Sequence, residues 1–165
     1  MYLYKPCDLE KHISEAYQQN GIIYPSQLDE EYIARKFDIL LVESKFGSFA
    51  EYCDDLKIVG LHNDLELLKR REVFFHEVGH LFLHVGDQSK MADSFRYFQE
   101  SQTKRFTLFA AIPYHMLTYI DFSQKRDFIV YEMQETFRVP AEICERRMDY
   151  IENKMLSAKL ASICS

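Results

Sequence analysis

The stretch from Val73 to His84, VFFHEVGHLFLH, constrains the fold of this chain more than any other. His76 and His80 are four residues apart, so on a helix they stand one above the other on one face, with Glu77 beside them. HExxH on a helix holds zinc with two neutral imidazole nitrogens and sets a glutamate to take a proton from the metal's water. The bland alternative is a hydrogen-bonded polar cluster inside a core. Phe74, Phe75, Val78, Leu81, Phe82 and Leu83 surround the polar trio, which predicts a helix buried on most of its circumference. A buried His-Glu-His set without a partner would be costly, and this weighs toward a metal.

Composition narrows what such a helix can belong to. The chain has 165 residues, enough for one domain with a real core. With 47% hydrophobic and 15% aromatic residues it is too apolar for disorder, and with 28% charged residues it is too polar for a membrane protein. No apolar run approaches a membrane span, and the opening MYLYKPCDLEKH lacks a signal peptide's apolar core, so a cytoplasmic location is expected. A net charge of -6 argues against a nucleic-acid-binding face, because phosphate contact rewards basic surface. Cys7, Cys53, Cys144 and Cys164 form no CxxC or other ligand spacing, and are expected as free thiols.

Along the chain, Asp8 can cap a helix running to about Asn20, with Leu9, Ile13, Ala16 and Tyr17 on one stripe and Gly21 as the stop. Ser26 can cap a second helix reaching about Lys36, with Leu28, Ile33, Ala34 and Phe37 inward. Three β-prone runs follow, 39–43, 48–53 and 57–61, separated by Lys45-Phe46-Gly47 and Asp54-Asp55, and short separations predict an antiparallel meander. Asn63 with Glu66 fits a capping box for the histidine-bearing helix, which should end near Gly86. The polar run 86–93 reads as an exposed loop. A helix then opens near Ser94, with Phe95, Phe98, Phe106 and Phe109 inward, and Pro113 ends it.

The last segments, Ser123 to Phe137 and Pro140 to about Ala158, predict a helical hairpin about Arg138-Val139. Phe128, Ile129, Met133, Ile143, Met148 and Ile151 would supply its apolar contacts. It superficially resembles a helix-turn-helix. Glu142, Glu145, Asp149 and Glu152 load its second helix with negative charge, which argues against DNA readout.

Two histidines leave a catalytic zinc site short, since such sites take three protein ligands and keep a position for water. His84 continues the stripe, but ligands at i, i+4 and i+8 are nearly collinear and cannot close a tetrahedron, so it packs or supports the site. The pattern HExxHxxGxxH fails too, because position 83 is Leu and position 86 is Gly. That points to a carboxylate on the next helix, and Glu100 is the candidate.

Here a resemblance becomes specific. The run ESQTKRFTLFAAIP, Glu100 to Pro113, resembles the ExEANxFAAxLLMP signature of the ImmA/IrrE family of metallopeptidases, at a similar distance from HEVGH. Glu100, Phe106 and Pro113 are retained. Gln102, Thr103, Lys104 and Thr107-Leu108 depart from the signature's Glu, Ala, Asn and Ala-Ala.

The resemblance implies an α+β fold over residues 1–165: a mostly helical single domain with a small three-stranded antiparallel sheet and a zincin-like HExxH helix. In that reading 1–122 form the sheet and zinc-site helices and 123–165 the C-terminal hairpin. It implies zinc on His76, His80 and Glu100, with Glu77 as general base of a zinc endopeptidase. It also implies a protein substrate, a helix-turn-helix repressor encoded nearby in a phage or mobile element, with no direct nucleic-acid or membrane partner. The rival expectation is a metal-containing binding module that sequesters the repressor without cutting it, and a metal-free helical structural protein is a third.

Overall fold

The structure, a computed structural model, describes residues 4–83 and 93–163. Helix α1 (Asp8–Gln19) is followed by a 3-10 turn (Pro25–Gln27) and helix α2 (Glu30–Lys36). Strands β1 (Ile39–Ser44), β2 (Phe49–Cys53) and β3 (Leu56–His62) come next. Helices α3 (Leu67–Leu83) and α4 (Asp93–Ala111), a 3-10 segment (Tyr114–Tyr119), α5 (Arg126–Phe137) and α6 (Ala141–Ile163) complete the chain. The mostly helical α+β class expected from the sequence is what forms.

The sheet is mixed rather than an antiparallel meander. Its order is β1-β3-β2, with β1 parallel to β3, Ile39 opposite Lys57 and Ser44 opposite His62. β2 is antiparallel to β3, Phe49 opposite Gly60 and Cys53 opposite Leu56. The Asp54-Asp55 reversal is a hairpin turn, with Asp54 in the left-handed region at φ 54°. At residues 45–48 the chain instead passes β3 to its far edge, a step of about two strand spacings or ~10 Å that four extended residues span. Gly47, at φ 122°, takes a conformation there that L side chains rarely adopt.

β3 holds the centre because Val59, Gly60 and Leu61 are buried in succession, a run that needs cover on both faces rather than one. The Phe49 ring lies directly on Gly60, where a β-carbon would sit 2.2 Å from the ring.

Local capping decides the helix starts. The second helix does not begin at Ser26: Pro25–Gln27 forms a separate turn in which Gln27 Oε1 accepts the amides of Ile23 and Tyr24, each at 2.8 Å. Asp29 caps α2 by accepting the Tyr32 amide at 3.0 Å. Asn63 lies too early to be the N-cap of α3, which begins at Leu67, and its amide donates to Ser44 O at 3.0 Å, extending the β1–β3 ladder. The Glu66 carbonyl accepts the first helical bond of α3, from Arg70. Buried Arg71 then ties α3 to its neighbours, donating to Phe137 O at 3.2 Å and lying 3.4 Å from Glu30 Oε2 of α2.

The core runs from Ile13 and Tyr17 through Leu28, Ile33, Val59 and Leu61 to Phe74, Phe75, Phe109, Met133, Phe137 and Ile151. Two expected core positions face outward: Phe98 is 55% exposed and Phe128 66% exposed. On α4 the buried line is Gln99, Thr103, Phe106 and Ala110, and Phe98 lies one residue, about 100°, away from it. On α5 the line is Ile129, Val130, Met133 and Phe137, so Phe128 points away in the first turn. Phe82, expected among the cover of the histidines, is 45% exposed and packs against Phe37. The side chain of Phe95, all of His84, the 86–92 loop and Cys164 lie outside what is described, whereas Cys7, Cys53 and Cys144 are free thiols as expected. Among the described residues no helix is long and apolar enough to cross a membrane.

Candidate metal centre

One unbroken helix, α3, carries His76, Glu77 and His80, and buries Phe74, Phe75, Val78 and Leu81 on its other faces. That burial fixes the rotation of α3, so the histidine face has one direction left to look. α4 runs back along this face. Gly79 makes the approach close: a β-carbon there would meet Phe106 Cδ1 and Thr103 Cγ2, each at 3.0 Å. The glycine inside HEVGH thus lets α4 sit near enough for Glu100 to reach both imidazoles.

His76 Nε2 and His80 Nε2 are 3.1 Å apart, Glu100 Oε2 is 3.5 Å from the first, and Glu100 Oε1 is 3.2 Å from the second. The three residues form a cluster able to hold a metal ion. A tetrahedral zinc with ligands at roughly 2.0–2.1 Å needs donor atoms about 3.3 Å apart, close to the spacing of the two imidazole nitrogens, and Glu100 brings one oxygen near each of them. The donor set also fits chemically. Burial holds His76 below its ordinary pKa, against the pull of Glu100, which favours the neutral imidazole that a metal ligand requires. Two imidazole nitrogens and a carboxylate converging at such distances make a set of donor types that a divalent cation can take.

Glu77 occupies the adjacent position and is half-buried. Burial, with the nearby charge of Glu100 in support, pushes its carboxyl up to about 7. A carboxyl with that value at neutral pH can both take and return a proton.

Two of the departures from the ImmA/IrrE signature turn back on α4 itself. Thr103 Oγ1 donates to Gln99 O at 3.0 Å and Thr107 Oγ1 to Thr103 O at 2.8 Å, so both buried hydroxyls are satisfied within α4. Lys104, one turn after Glu100, instead borders a cleft of about 250 Å³ that opens beside His76. Lys69 and Val73 of α3 form one wall, with Ile143 and Arg146 of α6 facing them. Sequence reasoning missed this cleft, because its walls come from three helices whose packing no single segment reveals.

A small sheet, an HExxH helix and a carboxylate from the following helix make an arrangement of metallopeptidase type. The chain belongs to the ImmA/IrrE family: the profile of the peptidase M78 family, described as the IrrE N-terminal-like domain, matches residues 34–149. It is also similar to the phage-like element PBSX protein XkdA of Bacillus subtilis (strain 168), with 28% identity over 146 residues, covering 88% of this chain and 74% of that protein.

Proposed function

We propose that this protein is a zinc endopeptidase that cleaves a helix-turn-helix repressor encoded beside it and so relieves repression of a phage or mobile element. The observation that carries the chemistry is the His76, His80 and Glu100 cluster, with donor spacings of 3.1, 3.2 and 3.5 Å. The peptidase family supports a protein substrate, and the phage-like element relative supports the genetic setting.

His76, His80 and Glu100 would hold the metal. When bound, zinc supplies a Lewis acid that polarises a carbonyl oxygen and makes water acidic at neutral pH. Glu77 accepts the proton of the attacking water on its carboxylate and returns it to the amine that leaves as the peptide bond breaks. β2 is the sheet edge that packs on α3, with Tyr52 Oη donating to Leu81 O at 3.0 Å. Its outer edge offers backbone groups to an extended substrate, which would bind as an added strand.

The test joins metal content to the fate of the repressor. The wild type should carry about one zinc per chain and cut the adjacent-gene repressor. Glu77→Gln should keep the zinc and the fold while cleavage falls by roughly 10²–10⁴-fold. If Glu77→Gln relieves repression as well as wild type, the protein acts by binding the repressor rather than by cutting it.

A further inference from the structure

The cleft beside His76 carries a charge opposite to that of the chain. The molecule as a whole has a net charge of -6, yet Lys69, Lys104 and Arg146 border this one depression. Glu72 is the acidic residue on its wall, and it is engaged: Lys69 Nζ lies 2.7 Å from its Oε2. Neither Lys104 nor Arg146 has a carboxylate within ion-pair distance among the described residues. Two unpaired cations from different helices, α4 and α6, therefore face one concavity whose remaining wall is Val73, Thr107 and Ile143. Both side chains are exposed, so their joint pull on an anion is open to screening by salt.

Resting on the proteolytic reading of the adjacent cluster, we propose that this cleft is a specificity subsite for an acidic residue of the substrate, close to the bond that is cut. The carboxylate lies between Lys104 and Arg146, and the methylene groups of a Glu or Asp side chain rest on Val73 and Ile143. His76 belongs both to the candidate metal cluster and to the cleft wall, so the subsite starts within one side chain of the reacting atoms. Lys104 also stands where the family signature has Asn, which makes the preference a property of this chain's own sequence.

The experiment uses three fluorescent peptide pools with randomised flanks and a fixed central Glu, Gln or Lys. Binding is read by fluorescence polarisation on zinc-loaded Glu77→Gln protein, and cleavage by mass spectrometry on wild type. The Glu pool should bind on the order of tenfold more tightly than the Gln pool, and the Lys pool most weakly, with the differences shrinking at high salt. Adding Lys104→Glu and Arg146→Glu together should reverse the order. Lys159→Glu, which shifts net charge at an exposed site far along α6, should leave it unchanged. Equal binding of the three pools, or a Glu preference that survives the double substitution, overturns the subsite. If the preference holds and reverses as stated while wild type cuts none of the pools or the repressor, the subsite stands and the proteolytic reading fails.

Discussion

Glu10 and Arg147 meet in the core, and both are fully buried. Arg147 Nη1 is 2.8 Å from Glu10 Oε1, the Tyr4 hydroxyl donates to the same oxygen, and Oε2 accepts the Cys7 amide at 2.9 Å and Tyr150 Oη at 3.2 Å. The guanidinium donates through Nε to Ile112 O at 3.2 Å and lies 4.9 Å over the Phe109 ring. His76, His80 and Glu100 meet instead beside a cleft, only partly buried, with both imidazole Nε2 atoms and the carboxylate turned on one another. One cluster pairs its opposite charges inside the protein, tying α1 to α6. The other, on the proposed reading, takes a cation. Polar groups brought together between helices thus differ in burial and charge pairing, one set fully buried with its counter-charge and the other partly exposed.

Removing one partner should therefore have opposite signatures in the two places. Arg147→Ala leaves a buried carboxylate with its main counter-charge gone, and should cost about 3–5 kcal/mol of folding stability. Urea denaturation reads this directly. Replacing both partners together, Glu10→Gln with Arg147→Met, should recover a good part of the loss, because no unpaired charge is left behind. An Arg147→Ala protein as stable as wild type would show that the core cluster is not what holds α1 on α6.

Glu100→Ala sits on the other side of the comparison. In metal-free protein it should change stability by less than about 1 kcal/mol, as expected for partly exposed pairs. Its effect belongs to metal affinity, which should fall by roughly 10²–10⁴-fold if the loss of one donor in three removes its share of a zinc site's binding free energy. Competition with a chromophoric chelator measures it. Tight zinc binding by Glu100→Ala, with loss in His84→Ala, would move the third ligand off α4.

The meeting of His76, His80 and Glu100 was more legible in the sequence than the sheet, for a physical reason. The i, i+4 geometry of His76 and His80 is fixed by local helix structure, and Gly79 marks where a second helix can approach. Strand order, by contrast, depends on which run can be covered on both faces. The continuous burial of Val59, Gly60 and Leu61 was a better guide than the shortness of the turns. Phe98 and Phe128 show the same limit, since a helix offers several apolar lines and only the packing partner selects among them. Arg147 did leave a sequence trace. It lies among Ile143, Cys144, Met148 and Ile151, all buried, and an arginine on such a stripe requires a buried acid from elsewhere. Nothing local says that this acid is Glu10, more than a hundred residues earlier. The matched family segment, 34–149, does not include it either.

The smallest expected effect is the pH response of that pair. Burial alone would raise the Glu10 carboxyl, but the Arg147 guanidinium, the Tyr4 hydroxyl and the Cys7 amide outweigh it and hold it below its ordinary value of 4.5. A carboxylate with a depressed folded value contributes stability that is fully present above its unfolded value and is lost as pH falls through the folded one. Wild type loses stability in acid for many reasons, given its 26 acidic residues, so the informative quantity is the gap between wild type and Glu10→Gln. Measured by urea unfolding, that gap should be widest at about pH 6–7 and narrow steadily below about pH 4.5 as the wild-type carboxylate takes up its proton. A gap that stays constant into acid would mean that the shape of the Glu10 side chain, and not its charge, is what the core requires. The buried cluster would then be a packing device, and its contrast with the metal centre would rest on Arg147 alone.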